Sequence, residues 1–178
     1  MSNKARVATV WLDGCSGCHM SLLDMDETII TLASLIEMVY SPTVDMKEFP
    51  ENVDVCLVEG AASSDEDIHK LKVIRKNSKC VVALGDCAIT GNVPSMRNRF
   101  RTEEILDRAY MENATICQRM PSVGVPTLQA RCRPIHEIVK VDVFVPGCPP
   151  PAEAIYNCVA DLLAGKTPDT SAYTRFGK

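Results

Sequence analysis

The sequence predicts an α/β fold, a doubly wound and mainly parallel sheet with helices on both faces. Two observations predict it. Apolar runs of strand length recur along the chain, at residues 5–12, 53–58, 80–84 and 141–145. They are apolar almost throughout, as strands buried on both faces are. Segments of helical periodicity separate them, which argues for a layered structure around parallel strands. Right-handed crossovers then place helices on both sides of the sheet.

Residues 5–12 form the first predicted strand, and the loop Asp13-Gly14-Cys15-Ser16-Gly17-Cys18 follows it. From Ser21 to Tyr40 the apolar residues Leu22, Leu23, Met25, Ile29, Leu32, Ala33, Ile36 and Val39 keep close to one helical face. Ser41-Pro42 ends that pattern. Residues 43–52 are a polar connection, with a possible short strand near 38–46. The run Val53–Val58 ends in Glu59-Gly60-Ala61. Ser64 is placed as an N-cap for a helix from Asp65 to Lys76, acidic at its start and basic at its end. Cys80–Leu84 is the third strand and ends in Gly85-Asp86-Cys87-Ala88. Residues 89–140 are the least regular part. They hold a turn at 91–94, a helix over Thr102–Met111, and an irregular stretch from Met120 to Pro134. Val141–Val145 is the last strand, and Ala152–Ala164 the closing helix before Gly165. The whole chain, residues 1–178, is read as one flavodoxin-like domain.

Composition narrows the function classes. With 46% hydrophobic and 24% charged residues the chain is an ordinary globular one, and its net charge of −4 gives no reason to expect nucleic acid as a partner. No apolar run approaches the ~20 residues needed to span a bilayer. No signal-peptide core and no twin-arginine pair open the chain, so the cytoplasm is the expected compartment. Nine cysteines is a high and odd number. In a reducing compartment they are better read as ligands, reactive thiols or small buried hydrophobes than as disulfides.

Their positions sort them. Three segments repeat one phrase, a buried strand, then glycine, then cysteine: Leu12-Asp13-Gly14-Cys15, Leu84-Gly85-Asp86-Cys87 and Val145-Pro146-Gly147-Cys148. In a parallel sheet the carboxyl ends of the strands share one edge, where open α/β folds bind ligands. Cys15, Cys18, Cys87 and Cys148 are thus expected to converge, and four thiolates suit an iron–sulfur cluster or a structural zinc. The cluster is preferred. Zinc ribbons pair two short knuckles, whereas here one knuckle joins two distant single thiols, and Pro149 after Cys148 matches the Cys-Pro ending of cluster motifs. Cys56, Cys80 and Cys158 are read as packing residues, and Cys117 and Cys132 as inert thiols that are also the only further ligand candidates. Glu59 closes a strand at the same edge, either as a capping or loop-bonding carboxylate or as a proton-handling group. His19 could bond a cluster sulfur or cap the following helix, while His69 and His136 are placed in solvent. No Ser-His-Asp ordering, Walker loop or Gly-x-Gly-x-x-Gly is present.

Asp-Gly-Cys-Ser-Gly-Cys at 13–18, Val-Glu-Gly at 58–60, Gly-Asp-Cys-Ala at 85–88 and Val-Pro-Gly-Cys-Pro-Pro at 145–150 resemble the small subunit of cytoplasmic nickel–iron hydrogenases. The soluble, bidirectional, NAD-reducing type is the nearest in look. The resemblance implies a flavodoxin-like domain with one 4Fe–4S cluster on Cys15, Cys18, Cys87 and Cys148, proximal to a nickel–iron centre in a separate large subunit. It places Glu59 on the family's acidic residue near that cluster. Longer relatives bind further clusters in a C-terminal region. The short stretch after Cys148 therefore implies the one-cluster form, which passes electrons to a diaphorase bearing flavin and further clusters. A complex I-like quinone oxidoreductase subunit is the alternative within the same fold. That family uses two adjacent cysteines where this chain has Cys15-Ser16-Gly17-Cys18. A stand-alone thiol-redox or zinc-binding domain is the alternative of another class. FMN is not expected, because cysteines fill the loop where a flavodoxin grips phosphate.

Overall fold

The computed structural model describes residues 4–174. Its centre is a five-stranded parallel sheet of β1 (Ala5–Trp11), β2 (Ile36–Tyr40), β3 (Val53–Glu59), β5 (Ser78–Leu84) and β7 (Val143–Val145), in the order β2-β1-β3-β5-β7. Counting the sheet strands alone this is 2-1-3-4-5, the flavodoxin-like order, and it reverses direction between β1 and β3. Strand alternation divides the core into two layers. Val7, Val55, Leu57, Val82 and Leu84 pack with α1 (Gly17–Leu23), α2 (Thr28–Leu35) and α6 (Ala152–Leu163). Ala8, Val10, Cys56, Val58, Val81 and Ala83 pack on the other face with Leu71 and Ile74 of α3 (Asp65–Asn77) and with Ala88 and Ile89 of α4 (Gly85–Thr90). The predicted fold class is the observed one.

Register decides where the loops go. Trp11 lies opposite Glu59, Glu59 opposite Leu84, and Leu84 opposite Val145, so four strands end level along one edge. The ends are then tied. Leu12 N–H donates to the Glu59 carbonyl (2.8 Å), and Ala61 N–H to that of Asp13 (2.7 Å). On the other side Asp86 N–H donates to the Gly147 carbonyl (2.9 Å) and the Asp86 carboxylate accepts from Gly147 N–H (2.8 Å).

Two expectations are corrected. The helix expected from Ser21 to Tyr40 is three elements. α1 stops at Leu23, Asp26 turns with φ of +48°, α2 ends at Leu35, and Ile36–Tyr40 is β2, paired with β1 from Ala5↔Ile36. Ile36 is buried against the α1–α2–α6 layer, so pairing with β1 outweighs the helical period that its sequence continues. The strand expected near 38–46 is this one, placed earlier. The stretch from Met120 to Pro134, expected to be irregular, contains β6 (Leu128–Arg133), which pairs antiparallel with the three-residue β4 (Ala62–Ser64). Side chains hold that ribbon from outside. Arg97 donates to the carbonyls of Ser63 and Gln129, while Asn98 exchanges two hydrogen bonds with the backbone of Cys132. The helix expected over Thr102–Met111 is α5 (Thr102–Asp107) running into a π-turn at Arg108–Glu112. Among the described residues no helix is long and apolar enough to cross a membrane.

Ser64 caps α3 as expected, its hydroxyl accepting from Asp67 N–H while the Asp67 carboxylate accepts from Ser64 N–H. Ser64→Ala removes one side of this capping box. It should cost about 1–2 kcal/mol, read as a lower urea midpoint of unfolding with an unchanged slope.

Candidate metal centre

The level strand ends bring the predicted residues together. The loop after β1 curls because Ser16 takes a left-handed conformation (φ +67°), which puts Cys15 before α1 and Cys18 in its first turn. Cys87 sits in the first turn of α4, directly after β5. Cys148 follows β7 in a loop whose Pro150 carbonyl accepts from the Ser21 hydroxyl (2.6 Å), so α1 and that loop are joined. Cys18 is buried, Cys87 partly buried, and Cys15 and Cys148 exposed.

Gly85 has φ of +82°, and a Cβ there would run into Cys18 Sγ. Only glycine leaves the thiol of α1 room beside the end of β5. Gly60 (φ +91°) does the same for the β1 and β3 ends, where a Cβ would come within 2.7–3.0 Å of the Leu12 and Asp13 backbone.

The thiols feel one another. Burial pushes the Cys18 thiol far above its ordinary value, and the Glu59 carboxylate and the sulfurs of Cys87, Cys15 and Cys148 add to it in that order. Cys87 is pushed up to about 11 by burial, then by Cys148 and Cys15, against an opposing hydrogen bond from the Val93 backbone. Four thiolates in one enclosed place repel, and a cationic centre reverses that balance. Among the described residues no three His, Cys, Asp or Glu side chains close onto a single ion, and the four thiols reach one edge of the sheet from three loops. That donor set suits a cluster held from several loops.

Glu59, at 1% exposure, reaches back from β3 into this ring. Its carboxylate accepts from the backbone N–H groups of Cys18 (3.4 Å) and His19 (2.9 Å) and pairs with His19 Nδ1. Of the capping or loop-bonding role expected of it, the capping contact with the first turn of α1 is present.

Residues 15–162 match the family described as NADH ubiquinone oxidoreductase, 20 Kd subunit, a span that holds all four thiols. The chain belongs to that family. It is 39% identical over 168 residues to the NAD-reducing hydrogenase HoxS subunit delta of Cupriavidus necator, over 92% of this chain and 80% of the relative. It is 39% identical over 165 residues to a subunit of the vhu F420-non-reducing hydrogenase of Methanocaldococcus jannaschii, where it spans 92% of itself but only 57% of the relative's length. A solved chain of an NAD+-reducing nickel–iron hydrogenase in the H2-reduced state superposes with a TM-score of 0.93 at 38% identity, over 98% of this chain and 99% of that one. The nickel–iron–selenium hydrogenase of Desulfomicrobium baculatum shares the fold, with a TM-score of 0.58 at 20% identity over 94% of this chain and 67% of that one. These likenesses bear out the resemblance to NAD-reducing nickel–iron hydrogenases.

The remaining cysteines of this hydrogenase-like chain fall largely as read. Cys56 and Cys158 are buried packing residues and Cys80 is half-buried. Cys117 is exposed at a left-handed position (φ +54°). Cys132 is buried in β6, its thiol pushed up to about 11 by burial, then by Asp13. His69 and His136 are exposed, as expected. Sequence reasoning missed Asn92, whose side-chain amide donates to Cys148 Sγ (3.4 Å), and the Asp86–Gly147 clasp. The clasp's only signal was Gly-Asp before Cys87.

Cys87 and Cys132 ionise near 9 in an open chain and near 11 in the fold. The stability they contribute is complete below pH 9 and lost as the pH rises toward 11. The urea midpoint of the metal-free chain should fall across that window, and Cys87→Ser should flatten part of the fall.

Proposed function

We propose that the chain is the electron-transfer small subunit of a nickel–iron hydrogenase of the NAD-reducing type, holding one 4Fe–4S cluster through Cys15, Cys18, Cys87 and Cys148. The observation that carries this reading is the meeting of four thiols from three separate loops at the carboxyl edge of the sheet, beside the reversal of strand order. When bound, such a cluster supplies one-electron transfer between the nickel–iron centre of a large subunit and a diaphorase, coupling H2 oxidation reversibly to NAD+ reduction. The chain's own residues bind and orient it. Cys18, under α1, gives the buried anchor, while Cys15 and Cys148 stand on the open side. Gly85 keeps space beside Cys18, and Asn92 holds the Cys148 sulfur with a donor. Glu59 is the proton-handling candidate of this site.

The partners follow from the open side. Val93, Met96, Phe100, Ile116, Val123 and Val125 are exposed apolar residues in the segment after Cys87. Exposed apolar residues of that kind suit a permanent large-subunit interface, with the diaphorase as the next partner and the cytoplasm as the compartment. The family description also admits a quinone oxidoreductase subunit, but the Cys15–Cys18 spacing and the hydrogenase relatives favour the first reading. A free thiol-exchange role is disfavoured, because an exchanging dithiol of Cys15 and Cys18 has no need of Cys87 and Cys148 brought to it from two other strand ends.

Purified anaerobically with the large subunit alone, the chain should contribute about four irons and one reduced-cluster EPR signal. Cys148→Ser should abolish that signal, and zinc in place of iron contradicts the reading. Glu59→Gln should keep the iron while slowing H2/D2 exchange by about 10²-fold, measured by mass spectrometry.

A further inference from the structure

Glu59 and His19 are bound to each other more tightly than a helix start requires. One carboxylate oxygen of Glu59, Oε2, takes both the backbone N–H and ring Nδ1 of His19, and the other, Oε1, takes only the long bond from Cys18 N–H. A ring nitrogen that faces a carboxylate carries the proton, so in the neutral ring Nε2 holds the lone pair. That Nε2 is buried and has no partner among the described residues. Leaving a buried ring nitrogen unpartnered is unfavourable, so the ring keeps its place through what Nδ1 does. The charge it faces stands against the thiol loop, since Glu59 Oε1 accepts from the N–H of Cys18 itself and the carboxylate is buried there.

We propose, resting on the reading of the four thiols as a cluster site, that Glu59 and His19 form one buried unit that sets the cluster's reduction potential. The Glu59 carboxylate disfavours an added electron, because two negative charges in a poorly screened place repel. His19 is the positioning residue. It holds that carboxylate beside Cys18 and offsets part of its charge with the Nδ1–H dipole. The step concerned is a one-electron reduction in which no bond of the protein forms or breaks. The electron comes from H2 through the large subunit in turnover, and from dithionite in the test.

The complex purified anaerobically is titrated with dithionite, following the EPR signal that Cys148→Ser removes. Glu59→Gln should move the reduction equilibrium about tenfold or more toward the reduced form, which is about 59 mV for one electron, with iron content and line shape kept. His19→Leu should move it about threefold the other way. His19→Asn, whose amide N–H can take the place of Nδ1–H, should stay within about twofold of wild type. The double variant Glu59→Gln/His19→Leu should match Glu59→Gln, since without the charge His19 has nothing to offset. An unchanged midpoint in Glu59→Gln overturns the proposal. An equal His19→Leu shift with and without Glu59 overturns it as well. Where Glu59→Gln loses its iron, a His19→Leu midpoint equal to wild type overturns it instead. A wild-type complex with no Cys148-dependent signal overturns the cluster reading itself.

Discussion

The structure depends on the flush parallel register of β1, β3, β5 and β7. Trp11, Glu59, Leu84 and Val145 stand in one row across the sheet, so every loop that follows starts from the same line. A shift of one residue in any pair would turn each side chain of that strand to the opposite layer of the core. It would also move Cys87 or Cys148 along the edge. The two buried layers on either side of the sheet therefore hold the thiols in place, by fixing the strands that carry them. The backbone ties Leu12–Glu59 and Asp86–Gly147 finish the work locally.

Within that frame the site gathers groups that carry one sign of charge when they ionise. Four thiols and one carboxylate share a partly buried place, and burial makes Cys18 and Cys87 resist ionisation in the metal-free chain. Such an arrangement is poor for a free thiolate and good for ligands of a cationic centre. Glu59 is paired with His19 and with the N–H groups of Cys18 and His19, while the Asn92 amide donates to the Cys148 sulfur. A metal centre of the kind proposed for this site would take the thiols as thiolates and offset the repulsion that keeps them protonated in the metal-free chain.

Much of this was legible in the sequence, for physical reasons. Parallel strands buried on both faces read as continuous apolar runs, so β1, β3, β5 and β7 were visible, and with β1, β5 and β7 the glycine and cysteine at three strand ends. The short β2 was legible only as a strand near 38–46, placed too late in the chain. Ile36 and Val39 continue the helical period of Leu32, and only the long-range pairing with Ala5 and Val7 turns them into a strand. β6 was hidden for a similar cause. Its partner β4 has three residues, and the two lie more than sixty positions apart. Glu59 could be placed at the site from its strand end, but its union with His19, forty residues earlier, has no local signature. Asn92 was invisible for the same reason, since its partner Cys148 is distant in the chain.

The central claim is that Cys15, Cys18, Cys87 and Cys148 hold one cluster. Anomalous diffraction at the iron edge, from crystals of the anaerobically purified complex, tests it most directly. The account predicts a compact group of about four iron atoms bonded to those four Sγ atoms and to no other cysteine of the chain. A single metal atom with a zinc edge at that place, or a disulfide between Cys15 and Cys18 with no iron nearby, would contradict it.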